Sequence, residues 1–149
     1  RRGLTQALGM MRLIVAYAAV WIGLAIGFGA LIGSLNLPGL WAINASGIKA
    51  QAKVLALEPM NHQLVRYSYR VGGNLYTGAG TAGYGNPAFS HLTQGDTVLV
   101  YYLASEPERS VLGDARQRLR EEIKSVVTVM LMFPTIIVAV LASRRRTVR

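Results

Sequence analysis

The sequence predicts an α+β membrane protein in which two transmembrane helices flank a small antiparallel β barrel or sandwich of four to five strands. Residues 13–35 and 125–143 contain no charged side chain. Each run is about as long as the roughly 20 apolar residues that span a bilayer core as a helix. Between them, residues 48–113 hold short alternating runs separated by glycine and proline, a pattern typical of antiparallel strands.

Charge is concentrated next to the two apolar runs. The 149-residue chain has a formal net charge of +9, and the two tails contain no acidic residue. The arginines of the tails are Arg1, Arg2, Arg12, Arg144, Arg145, Arg146 and Arg149. Basic residues beside membrane spans favour the cytoplasmic side, so we expect both termini inside and the β domain outside. This distribution indicates a membrane protein and predicts no nucleic-acid partner.

These features divide the chain into seven segments. The first span exceeds the about 7–15 apolar residues of a signal peptide, so we expect an uncleaved anchor. Asn36, Pro38 and Gly39 supply turn chemistry after it, Trp41 is placed as an interfacial anchor, and Asp114 is a candidate N-cap. The predicted segments are a basic tail (1–12), a transmembrane helix (13–35), a linker (36–47), the β domain (48–113), a charged juxtamembrane helix (114–124), a second transmembrane helix (125–143) and a basic tail (144–149).

The β domain shows a clear alternation at its second strand. Strands are predicted at 48–57, 64–71, 74–78, 97–103 and, as a short edge, 110–112. Glu106 and Pro107 are predicted to turn the chain before that edge. Gly72-Gly73 is a two-residue hairpin turn, because glycine adopts positive φ without penalty. The alternation places one set of side chains on a buried face, namely Val65, Tyr67, Tyr69 and Val71.

The first span separates small from bulky side chains. A helical projection puts small residues on one line: Ala16, Ala19, Gly23, Gly27 and Ala30. Small residues let helices approach closely in lipid, so we predict that this stripe contacts protein, either the second span or another chain. The opposite aromatic side, Tyr17, Trp21 and Phe28, is expected to meet lipid.

Two further sets of small residues accompany this stripe. A second G-x-x-x-G pair, Gly29 and Gly33, lies on a different face of the first span. The small side of the second span, a candidate to face the first, comprises Ser125, Thr128, Thr135, Ala139 and Ala142. We take Thr128, Thr135 and Ala139 with the stripe as the predicted helix-packing interface. In the same span Pro134 predicts a kink.

Residues that commonly carry chemistry form no recognisable constellation. The chain has no cysteine, which excludes disulfides and thiolate sites. His62 and His91 have no partner at metal-ligand spacing, and the acidic residues are dispersed. We therefore expect no enzyme, no metal and no cofactor. Thr81 to Gly85 is close to the selectivity filter of potassium channels, but strands rather than a pore helix precede it, so a channel is a remote alternative.

The tyrosines allow a second class of function. Arg66, Tyr67, Tyr69 and Tyr101 could form an aromatic and basic surface for a small ligand, a lipid or a wall polymer. Tyrosine is also an ordinary strand residue that stabilises sheets through cross-strand pairs. A ligand-binding or sensing domain outside the membrane is therefore the alternative, and it requires these rings to be open to solvent.

Four strings in fixed order carry a resemblance to a known family. They are Val65-Arg66-Tyr67-Ser68-Tyr69, Gly73-Asn74-Leu75-Tyr76-Thr77-Gly78, Gly95-Asp96-Thr97-Val98-Leu99-Val100-Tyr101-Tyr102 and Glu106-Pro107-Glu108-Arg109-Ser110-Val111-Leu112. The series resembles the domain of unknown function thirty-five ninety-two, found mostly in bacterial membrane proteins. The resemblance covers roughly residues 45–143 and implies a small β domain between two transmembrane helices in a bacterial inner membrane. Ala104 and Glu106 depart from the family's usual proline and asparagine. The resemblance implies no activity, cofactor or site residue.

The leading hypothesis is a non-enzymatic accessory or scaffolding subunit of a larger membrane protein complex. Its partners would be membrane lipid and other integral membrane subunits, or further copies of itself. The helices would dock through their small-residue faces, and the β domain would cap the partner.

Overall fold

The structure is a computed structural model that describes residues 2–147, with side chains from 6 to 144. The predicted basic tails lie partly outside these described residues. Along the chain, a long helix comes first, five strands and a short 3-10 helix follow, and a second long helix comes last; the chain divides into two compact units. The helix unit is Arg1–Leu35 with Ile123–Arg149, and the β unit is Asn36–Glu122. The elements are α1 (Arg2–Ser46), β1 (Ile48–Glu58), β2 (Leu64–Val71), β3 (Asn74–Thr81), the 3-10 helix (Phe89–His91), β4 (Thr97–Leu103), β5 (Glu106–Leu112) and α2 (Ala115–Thr147).

Both helices contain segments long and apolar enough to cross a membrane, Gln6–Ser46 and Ala115–Arg144. Only 6% and 11% of the residues in their most apolar windows are buried within the chain. A core helix of a water-soluble protein would be mostly buried, since contiguous apolar surface is costly in water. The exposed apolar side chains indicate helices that are covered by something other than this chain.

The predicted linker at 36–47 is wrong. α1 continues through Pro38 to Ser46, and only Gly47 separates it from β1. The extension is held by tertiary contacts: Ile43 is buried against Leu103 and Ala115, and Asn36 Nδ2 donates to Glu122 Oε1 at 3.0 Å. Packing of this kind overrides local turn preferences, which are only weak determinants of helix ends.

The five strands form one antiparallel sheet in the order β3-β2-β1-β4-β5. The predicted strands β1, β2 and β4 and the Gly72-Gly73 turn are confirmed. The two end strands approach each other closely, because a Cβ on Gly80 of β3 would lie 3.1 Å from Leu112 Cβ of β5. The sheet is therefore a nearly closed barrel. Of the two predicted architectures, barrel and sandwich, this agrees with the barrel.

Two predictions about strand ends are corrected. β3 extends to Thr81 instead of ending at 78, and β5 begins at Glu106 instead of 110. The chain reverses at Ala104 and Ser105, so Glu106 and Pro107 are strand residues and not the turn. Leu103 pairs with Glu106 across this tight connection, and Pro107 is tolerated because β5 ends the sheet.

The core of the barrel is made by the inward face of β2 and its neighbours. Val65 and Tyr67 are fully buried, and Tyr69 is 2% exposed, as the alternation predicted. Tyr67 lies opposite Gly78 in the β2–β3 register. A Cβ on Gly78 would come within 2.6 Å of the Tyr67 ring, so this glycine makes room for a fully buried tyrosine.

Candidate functional site

The inner face of the helix unit is aromatic. Trp21 Nε1 donates to Thr135 Oγ1 at 3.0 Å, and the rings of Phe28 and Phe133 lie 5.4 Å apart. The prediction that Trp21 and Phe28 meet lipid is therefore wrong, since both lie against α2. Bulky rings at helical spacing fill the space between two helices. There they gain dispersion contacts with fixed neighbouring side chains.

Glycine takes part in this contact through the second G-x-x-x-G pair. A Cβ on Gly29 would lie 2.8 Å from Met130 Sδ, so the missing side chain accommodates Met130. Gly29 is half-buried, and Gly33, four residues on, is buried. The first pair behaves differently, because nothing lies within 4 Å of a Cβ placed on Gly23 or Gly27.

The predicted small-residue stripe is exposed along its whole length. Its members are Ala16, Ala19, Gly23, Gly27 and Ala30. The α2 residues predicted to face α1, Thr128, Thr135 and Ala139, are all exposed, and Thr135 contacts α1 through its bond to Trp21. Since the Cβ positions of Gly23 and Gly27 are open, the alternative in which this part of the stripe packs against α2 is not supported. Contact with another protein stays a prediction.

The predicted ligand surface is not formed. Tyr67 and Tyr69 point into the barrel core, and Tyr101 is half-buried beside Ile43 and Leu103 in a second cluster. Arg66 lies on the outer face and bonds Glu58. Successive strand residues face opposite sides of a sheet, so Arg66 and its tyrosine neighbours could not share one surface. The rings stabilise the fold, and the main support for a tyrosine-lined pocket is lost.

Four tyrosine rings form a connected aromatic cluster in the barrel. The Tyr69 ring lies 6.2, 6.0 and 5.7 Å from the rings of Tyr67, Tyr76 and Tyr102. The Tyr67 hydroxyl is 3.1 Å from Ser110 Oγ, and the Tyr69 hydroxyl donates to the Pro107 carbonyl. Burial raises the pKa of Tyr67 and of Tyr69 above the ordinary value, because a phenolate is poorly solvated in the core.

The glycine-rich loop after β3 packs on the barrel. Gly83, Tyr84 and Gly85 have positive φ, and the Tyr84 carbonyl accepts from Asp114 N. Asn86 bonds both the N–H and the carbonyl of Leu99 at 2.7 and 2.9 Å, as a neighbouring strand would. A selectivity filter requires a preceding pore helix, and here the string follows β3. The structure of this loop gives the channel alternative no support.

Arg118, near the start of α2, links the two end strands of the barrel, β3 and β5. Its guanidinium donates to the Leu112 carbonyl at the end of β5 and to the Thr81 carbonyl at the end of β3, each at 2.6 Å. It also lies 4.6 Å from the centre of the Tyr84 ring. Asp114 Oδ1 accepts from Gln117 N at 2.8 Å, which confirms the predicted N-cap of this helix.

Sequence reasoning counted Arg118 among the charges leading to the second span. Its role depends on β3 and β5 meeting, which no local pattern reveals. One sequence signal for this role was available. Residues four apart are neighbours on one side of a helix, so the spacing places Arg118 on the same side as the N-cap Asp114, next to the preceding strand. Among residues 2–147, no three or more histidine, cysteine or acidic side chains gather as a metal site, and His62 and His91 are exposed.

Together these observations define a small nearly closed β barrel that is preceded and followed in the sequence by a long apolar helix. Residues 53–117 match the model of the family described as Domain of unknown function (DUF3592), so this part of the β unit is similar to that domain. The match confirms the family resemblance predicted from the four strings. No curated protein and no solved structure matches the chain.

We predict that Arg118→Ala destabilises the β unit by roughly 1.5–3 kcal/mol, because two strand-end carbonyls lose a charged donor. Thermal unfolding in detergent, followed by near-ultraviolet circular dichroism, measures this. The control is Arg116→Ala, which removes an exposed arginine two residues away. Equal melting temperatures for the two variants would show that the guanidinium does not close the barrel.

A second prediction concerns alkaline pH. Tyrosine in an unfolded chain ionises from about pH 10, whereas folded Tyr67 stays protonated to higher pH. Unfolding then releases a proton, so the free energy of unfolding should fall as pH rises above about 10. Denaturant unfolding at several pH values should show a shallower fall for Tyr67→Phe than for the native chain.

The matched control for this experiment is Ser110→Ala. It removes the hydrogen-bond partner of Tyr67 but keeps the ionisable ring, so its pH slope should stay close to that of the native chain. A Tyr67→Phe variant with the native slope would contradict the assignment of the alkaline transition to this group.

Proposed function

We propose that this chain is a two-span integral membrane protein that acts as an accessory or scaffolding subunit of a larger membrane protein complex, without catalysis of its own. One observation carries the proposal. The aromatic face of α1 is occupied by α2, while the stripe Ala16, Ala19, Gly23, Gly27 and Ala30 remains exposed on another face. The helix unit thus has a second surface suited to a helix from another subunit.

Membrane insertion is supported by the apolar surface that the helices leave uncovered. Ile14, Val15, Ile26, Leu31 and Leu35 are each more than 60% exposed. Burying apolar area is favourable by about 25 cal/mol per Å², so such side chains are stable in lipid and costly in water. A bilayer is the environment that covers them on all sides.

Docking through the stripe follows from how helices associate in lipid. Lipid tails are as apolar as leucine, so association depends on close packing. The Cβ positions of Gly23 and Gly27 are open, which allows another backbone to approach there. The partner is another integral membrane subunit or a second copy of this chain, and the β unit would cap that partner.

A role in binding agrees with how the polar groups of the β unit are used. Tyr67 and Tyr69 hold β5 through hydrogen bonds, and Arg118 holds the ends of β3 and β5. These groups have structural partners in the folded domain. These polar groups therefore stabilise the barrel, and the outer faces of the barrel are left for binding partners.

For the topology we propose a bacterial inner membrane with both termini in the cytoplasm and the β unit outside. The support is the excess of basic residues in the tails, including Arg12 directly before the first apolar run and Arg144 after the second.

We expect Gly23→Leu with Gly27→Leu to disrupt assembly while leaving insertion intact, because leucine side chains would block close approach. Recovery of the complex in mild detergent should fall by about tenfold, equivalent to roughly 1.4 kcal/mol. Ala18→Leu is the control, since it adds the same bulk at an exposed position outside the stripe. A native chain that purifies as a monomer without any partner would refute the subunit role.

The topology can be tested by cysteine labelling, because the chain has no native cysteine. In intact spheroplasts, a membrane-impermeant maleimide should label Gln94→Cys in the β unit and should leave Gln6→Cys in the N-terminal tail unmodified until the cells are lysed. Both positions are exposed, so burial within the chain does not limit labelling. The reverse pattern would place the β unit in the cytoplasm.

A further inference from the structure

The register of the sheet aligns four polar side chains across one outer face. Lys53 of β1 lies opposite Ser68 of β2 and Thr97 of β4, and Ser68 lies opposite Thr77 of β3. Residues directly opposite in an antiparallel sheet point to the same side. Lys53 Nζ donates to Thr97 Oγ1 at 2.7 Å, which fixes part of this row.

Further cations flank the row. Two-residue alternation places Lys49 on the same face of β1 as Lys53, and Arg66 and Arg70 on the same face of β2 as Ser68. All four basic side chains are exposed. Among the described residues on these two strands, Glu58 is the one carboxylate, and it already bonds Arg66 and Asn61. The face therefore has an excess of positive charge, although the β unit as a whole is more balanced.

An apolar depression lies within this basic face. It has a volume of about 420 Å³ and is lined by Leu55, Arg66, Tyr67, Thr77, Gly78 and Ala79. Leu55 lies at the β-bulge between Val54 and Ala56 and has no partner residue on β2, and its side chain is 42% exposed. Leu75 at the start of β3 is 58% exposed. Ala79 of β3 lies opposite Arg66 on this face, and its small side chain leaves the depression open.

We propose that this face of β1, β2 and β3 docks an acidic segment of a partner protein, with its carboxylates against Lys53 and Arg70 and an apolar side chain in the depression beside Leu55. The inference rests on the proposed subunit role and names the surface through which the β unit would cap its partner. Charge complementarity selects an acidic partner and steers its approach. The interleaved leucines favour a protein segment over a phosphate polymer or lipid headgroup, because those ligands offer no apolar side chain for the depression.

The test uses site-specific photo-crosslinking of the full chain in living cells. A photoreactive phenylalanine analogue replaces Thr77 on the proposed face, Gln117 on an exposed site of α2 as control, or Ala19 in the α1 stripe. We expect the Thr77 probe to yield a protein adduct whose crosslinked peptide, mapped by mass spectrometry, is acidic and contains apolar residues. The Gln117 probe should yield much less of this adduct.

Charge reversal then tests the chemistry of the contact. Lys53→Glu with Arg70→Glu should lower the Thr77 adduct by about tenfold, in line with placing like charges together in an interface. The matched pair Arg116→Glu with Arg120→Glu changes the same charge elsewhere and should leave the adduct unchanged. Lys53→Gln with Arg70→Gln should give an intermediate loss, and this milder pair decides the outcome if the reversed pair fails to fold.

The outcomes separate this inference from the proposed function. An adduct from Ala19 without one from Thr77 would overturn the docking face and leave the subunit role in place. Adducts from neither position would count against both. An adduct of Thr77 with lipid or with a phosphate polymer, or an acidic adduct that survives charge reversal, would also overturn the proposed contact.

Discussion

The barrel depends on how its two end strands are held together. No ladder of hydrogen bonds joins β3 to β5 among the described residues, and the strand ends would each leave a carbonyl without a donor. The Arg118 guanidinium satisfies both carbonyls. A planar group with several fixed donors suits this task, since it can address two acceptors at once. The same side chain packs over Tyr84, so the loop, the barrel and the first turns of α2 share one anchoring group.

The β fold was largely predictable because its signals are local. Alternation in β2 and the glycine pair after it determine which side chains are buried and where the hairpin turns. Residues 36–46 were not predictable in the same way. Asn, Pro and Gly there favour a turn, but the burial of Ile43 and the hydrogen bond from Asn36 to Glu122 stabilise a helix that continues through them. These contacts connect positions far apart in sequence, so composition near Pro38 could not reveal them.

The helix faces show the same limit in another form. Small residues on α1 indicate where another helix can pack closely, but they do not identify which helix packs there. α2 presents Met130 and Phe133, which fit against Gly29 and Phe28. The sequence therefore separated a small-residue face from an aromatic face; the aromatic face contacts α2 instead of lipid, and the neighbour of the small-residue stripe stays a prediction. The basic outer face was missed for a related reason, because its row of side chains appears only once the strand register is known.

The place of Arg118 in the chain has a consequence for biosynthesis. Thr81 and Arg118 are 37 residues apart, and a ribosome adding about 5–20 residues per second needs about 2–7 s to make that length. During this interval β3 is complete but its outer edge has no neighbour. Arg118 is synthesised just before the apolar part of α2, so the barrel cannot be closed until the ribosome has reached that helix. The glycines of β3 are poor strand formers, which lowers the risk that the waiting edge pairs with another nascent chain.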